Sequence, residues 1–124
     1  MRRPSALLSL ALAGCATAPV EPAGLFPAEL RGLGTEPFWS VTIDGEQLTY
    51  DDPEHAARTV RVIRHEESAI LVLTGKLASE PVSARVVARP CSDGMSDRAY
   101  PYSLIVTIGG RTLRGCAFLP EQAL

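Results

Sequence analysis

The chain has 124 residues, 46% hydrophobic and 21% charged, with a formal net charge of -2. That length and composition fit one globular domain with a short extension. No basic run and no interleaving of cations with aromatic residues occurs, which argues against nucleic acid as a partner.

Arg2 and Arg3 precede a short apolar stretch, Ala6 to Ala13. A helix that short cannot cross a bilayer, which takes about 20 residues. Residues 1–14 are therefore expected to be a cleaved signal peptide. Leu12-Ala13-Gly14-Cys15 has the form of a bacterial lipobox, so Cys15 is expected to be lipidated and to hold the protein to a membrane through its lipid. Ala16 after the cysteine points to outer-membrane sorting in a Gram-negative envelope, with the protein facing the periplasm. Residues 15–33 carry Pro19, Pro22 and Pro27, which deny the stretch a regular helix or central strand and make it a tether. A brief helix at Pro27–Leu30 and docking of Leu25, Phe26 and Leu30 are compatible with that. The folded domain is expected over residues 34–124.

Trp39, Val41 and Ile43 alternate with Ser40 and Thr42, a half-buried strand. Asp44-Gly45 reads as a two-residue hairpin turn, setting Val41 opposite Leu48 and Trp39 opposite Tyr50. Asp51 to Glu54 ends the returning strand. Thr59–His65 follows, with Val60 and Val62 inward, then the apolar Ala69–Thr74, broken by Gly75 and Lys76. Val82, Ala84, Val86 and Ala88 alternate with Ser83, Arg85 and Arg89 until Pro90. The last hairpin joins Tyr102–Ile108 to Arg111–Phe118 through Gly109-Gly110, with Ile108 facing Arg111, Val106 facing Leu113 and Ser103 facing Cys116. About seven short strands and no convincing amphipathic helix predict an all-β fold, a small antiparallel barrel or sandwich. Whether the sheet closes is left open by the sequence.

With Cys15 taken by lipid, Cys91 and Cys116 remain as an even pair in an oxidising compartment. The hairpin register brings Cys116 beside the segment that follows Cys91, so a Cys91–Cys116 disulfide is expected. It would pin the polar loop between them and stabilise the domain by roughly 3–4 kcal/mol in the chain-entropy account.

That loop concentrates Ser92, Asp93, Ser96, Asp97, Arg98, Tyr100 and Tyr102. Loops held on a rigid scaffold often carry function, and Ser96, Asp97, Arg98 and Tyr100 are the candidate binding residues for an envelope protein or a small molecule. The competing account is structural, because Asp and Ser favour turns by bonding nearby backbone. A hydrolase is the least favoured class. His55 and His65 are the only histidines, and no G-x-S-x-G elbow exists. Asp51, Asp52 and Glu54 lack a calcium-loop pattern, the histidines lack zinc spacing, and no metal or cofactor is expected. The expected role is a binding or inhibitory module, not an enzyme, with a purely structural envelope component as the alternative.

Gly34-Thr35-Glu36-Pro37-Phe38-Trp39, then Cys91-Ser92-Asp93-Gly94-Met95-Ser96-Asp97-Arg98 with Tyr100-Pro101, and a late Gly115-Cys116-Ala117, resemble a family of functionally uncharacterised bacterial envelope lipoproteins. The resemblance covers most of the chain after Gly34. It implies a secreted β-domain with Cys91 joined to Cys116 and no established activity. A more distant likeness is to META-domain lipoproteins, which are compact β folds. A further one is to periplasmic inhibitors of C-type lysozyme, which enter the enzyme's cleft with a Ser-rich loop and a nearby Tyr. Met95 to Tyr100 is similar to that loop in residue types but departs from it in spacing and flanks.

Overall fold

The computed structural model describes residues 26–35 and 37–122. The expected signal peptide, the expected lipidation site Cys15 and the first part of the expected tether lie outside the described residues.

Eight strands build the main sheet: β1 Glu29–Thr35, β2 Phe38–Asp44, β3 Gln47–Asp52, β4 His55–Glu67, β5 Ile70–Leu77, β6 Glu80–Val87, β9 Tyr102–Ile108 and β10 Arg111–Phe118. They form a closed antiparallel barrel in the order β1-β10-β9-β6-β5-β4-β3-β2. Two short strands, β7 Cys91–Ser92 and β8 Ala99–Tyr100, pair only with each other. Closure satisfies both edges of the sheet, which an open sheet of this size would leave exposed.

Alternation along the strands decides what fills the barrel. Trp39, Val41 and Ile43 from β2, Leu71 and Leu73 from β5, Val82, Ala84 and Val86 from β6, and Leu104, Val106 and Ile108 from β9 are all buried in one core. The intervening Ser40, Thr42, Ser83, Arg85 and Thr107 face outward. This is the reverse of a transmembrane barrel, which is apolar outside and polar within. Eight strands leave room for packed side chains or one small ligand. Here Trp39, Leu30, Leu48, Leu71 and Leu73 occupy the middle.

The seven expected strands correspond to β2–β6, β9 and β10. The eighth, β1, lies in the stretch expected to be tether: the domain begins at least five residues before Gly34, and the segment that could have been a brief helix enters a strand at Glu29. Its glycines disguise it. An added Cβ at Gly32 would collide with Leu104 and Val41, and one at Gly34 with the Trp39 indole. The strand is glycine-rich because larger neighbours fill the space beside it. Leu30, its one large apolar side chain in the middle of the barrel, is fully buried.

Three other expectations shift. The first hairpin turns at Gly45-Glu46, with Gly45 at φ +57°, so Ile43 pairs with Leu48 and Val41 with Tyr50. Trp39 is not opposite Tyr50 but faces Gly34 of β1. A two-residue displacement preserves the inward face, which is why the core is legible in the sequence although the partners are not. β4 begins at His55, not Thr59, and β5 runs through Gly75, which pairs with Val62 and Val82. The last hairpin has the expected register, with Ile108 facing Arg111 and Ser103 facing Cys116.

The two ends of the barrel differ. At the end where the chain enters, Phe26 is buried with its ring 5.5 Å from that of Tyr102. Arg64 fastens this plug, donating to the carbonyls of Pro27 at 2.7 Å, Ala28 at 3.4 Å and Gly45 at 3.1 Å. The far end is formed by the turns at 53–54, 78–79 and 109–110.

Candidate functional site

The seam between β1 and β10 is short, pairing Arg31 with Phe118, Gly32 with Ala117 and Leu33 with Cys116. Inward residues alternate with outward ones on β10, so Cys116 and Phe118 point out of the barrel at this seam. Both are nonetheless buried, because the chain between β6 and β9 folds back across them as a flap. Cys91 and Cys116 are joined, with Cα atoms 5.6 Å apart. Tyr100, Cys116 and Phe118 form a second apolar cluster, backed by Leu33 and Cys91 and separate from the barrel core.

Asp93 organises the flap. Its Oδ1 accepts from the Met95 and Ser96 amides at 2.9 and 2.8 Å. Its Oδ2 accepts from the Ser96 hydroxyl at 2.9 Å and the Tyr100 hydroxyl at 3.0 Å. The Met95 and Ser96 amides, helped by the two hydroxyls and opposed by partial desolvation, hold the carboxyl at about 2, against an ordinary 3.8. Gly94 takes φ +76° inside this turn, and its amide donates to Ser92 Oγ at 3.1 Å. The Thr35 hydroxyl reaches the Asp93 carbonyl at 3.5 Å, linking the flap to the end of β1.

The four residues singled out from sequence divide. Tyr100 is only 5% exposed. Burial and the Asp93 carboxylate raise its pKa above the ordinary phenol value. Its ring packs 5.6 Å from that of Phe118, and the Arg98 guanidinium lies 5.1 Å from the Tyr100 ring and 5.6 Å from the Phe118 ring. Tyr100 is thus scaffold, and Arg98 offers only the outer side of a guanidinium stacked on that pair. Ser96 spends its hydroxyl on Asp93 and on accepting the Arg98 amide at 3.3 Å. Asp97 is exposed and has no side-chain partner among the described residues.

Two further residues of the loop, Met95 and Asp93, are not among those four. Met95 is 74% exposed at the tip. Asp93 supplies the turn, and the run of Ser, Gly and Ser around it is the available signal. Ser96, Asp97 and Arg98 border a surface depression of about 430 Å3 that reaches back to Pro90 and Ser92 at the flap's root.

No Ser–His pair forms here. The Ser96 hydroxyl is engaged by Asp93 and the Arg98 amide, while His55 Nδ1 lies 3.0 Å from Asp52 and His65 Nε2 3.6 Å from Glu67. Among the described residues no three His, Cys, Asp or Glu side chains gather as metal ligands. No family model, curated protein or solved structure matches the chain.

Proposed function

We propose that the protein is a recognition module of the bacterial cell envelope, anchored through lipid on Cys15 and facing the periplasm, that binds or inhibits an envelope partner through the tip of its flap. The observation that supports this most is the combination of a fixed base with an unsatisfied tip. Disulfide, Asp93 turn and aromatic cluster all hold the root. Met95 and Asp97 meanwhile stand in solvent with nothing to bind, beside a depression edged by Arg98. A loop ordered beforehand loses less conformational entropy on binding. An exposed thioether adapts to varied apolar surfaces. The stacking of Arg98 and Tyr100 onto the seam favours a second reading, in which the flap only closes the barrel and the protein is a structural envelope component.

Variants separate the two. Met95→Ala and Asp97→Ala should each weaken capture of the partner by about fivefold or more, as truncation of a contact residue does. The melting midpoint should barely move, since both side chains are exposed. Tyr100→Ala should lower the midpoint. If Met95→Ala and Asp97→Ala leave capture intact, the flap is scaffold alone. For the anchor, Cys15→Ser should abolish acyl labelling and release the protein from membranes; label persisting on the variant would refute lipidation at Cys15.

A further inference from the structure

The far end of the barrel carries a cleft that the flap does not use. Phe38, Tyr50, Asp52, Glu54 and Arg111 enclose about 360 Å3, with Pro37 and Pro53 as the remaining apolar wall. Phe38 is 61% exposed, an aromatic ring standing open to solvent at the rim. Tyr50 faces inward and is 2% exposed. Register places Arg58 beside it, since Tyr50 pairs with Arg58, and Arg111 on the same inner side, since Arg111 pairs with the buried Ile108.

Charges of both signs meet at this mouth. Burial first and the Asp52 carboxylate second raise the pKa of the Tyr50 hydroxyl, and the Arg111 guanidinium opposes them. Behind the ring, the Arg58 guanidinium carbon sits 5.9 Å from the Tyr50 centroid. Arg58 Nε is the one buried side-chain nitrogen or oxygen among the described residues that lacks a hydrogen-bond partner. Asp52 Oδ1 is committed to the Glu54 and His55 amides, both at 2.9 Å, and to His55 Nδ1 at 3.0 Å. Oδ2 is contacted less closely, by His55 Nδ1 at 3.3 Å. Glu54 is exposed on the turn that closes the cleft. The ion pairs of the described residues involve His55 and His65, not Arg58 or Arg111.

We propose that this mouth binds a small zwitterion of the amino-acid class. Its carboxylate would lie on Arg111, its ammonium on Glu54 with Asp52 Oδ2, and its apolar side chain on Phe38 between the two prolines. A simple anion would meet the repulsion of Asp52 and Glu54, and a simple cation that of Arg111 with Arg58 behind it. Only a ligand with both charges satisfies both walls. The volume lies at the small end of ligand pockets, enough for an amino acid or a dipeptide. The packed interior confines the ligand to the mouth.

The test is an NMR titration of the folded protein with phenylalanine, N-acetylphenylalanine and phenylalanine amide, following the Phe38 and Tyr50 ring and Arg111 side-chain resonances. Free phenylalanine should shift these saturably. Each capped derivative should bind about tenfold more weakly or worse, having lost one charge-assisted contact. Glu54→Gln and Arg111→Gln should weaken free phenylalanine by a similar factor, and exposed Glu54 can be changed without cost to folding. Absence of saturable shifts with free phenylalanine would overturn the proposal. So would equal binding of either capped derivative, which would make the mouth a site for one sign of charge.

Discussion

Asp93 shows how a residue can decide a site without touching a ligand. In the sequence it is one polar residue among several. Its neighbours fix its role, because four donors converge on one carboxylate and hold it ionised at about 2. Asp52 behaves alike: partial desolvation works against it, but hydrogen bonds from His55, Tyr50 and the Glu54 and His55 amides outweigh that and bring it to about 2. A folded pKa below the ordinary 3.8 means that the unfolded chain takes up the proton first. The stabilisation is therefore complete above about pH 4 and is lost as pH falls toward about 2. The urea midpoint should decline across that window, and Asp93→Asn should flatten its share of the decline. Superimposable acid limbs for the two proteins would show that Asp93 does not stabilise the fold through its charge. The same geometry explains why sequence alone misplaces Tyr100. Arg and Tyr are common in binding hot spots, but here each has an intramolecular partner that no spacing rule reveals.

Among the elements, β1 is concealed in the sequence and the flap is only partly legible. Strands β2 and β6 announce themselves by alternation, and β9 and β10 by two apolar runs joined at Gly109-Gly110; both signals are local. β1 has two glycines on its inward face, and what they accommodate, Trp39, Val41 and Leu104, comes from other strands. The disulfide is legible because parity and one hairpin register suffice. That it fastens a flap across the barrel's closing seam is not, since the seam depends on β1. Replacing both Cys91 and Cys116 by Ala should cost about 2–5 kcal/mol of stability. The loss should be localised. Hydrogen exchange should rise first at Leu33 and Cys116–Phe118, where the seam has only three residue pairs, while β4–β5–β6 retains its protection. Uniform acceleration across the barrel would mean that the flap does not guard the seam.

The whole molecule is a filled barrel with one end plugged by Phe26 and Arg64, an exposed cleft at the other, and a pinned flap on its wall. The recognition surface we propose for an envelope partner is the flap tip and not the sheet. The comparison that isolates this claim uses Ile63, which at 73% is as exposed as Met95 at 74% but lies on the outer face of β4. A photo-crosslinking residue placed at position 95 in the full-length protein, within intact envelopes, should give one discrete adduct. The Asp97→Ala substitution should diminish that adduct, and the same probe at position 63 should give none. No adduct at 95, or the same products from both positions, would contradict recognition through the tip.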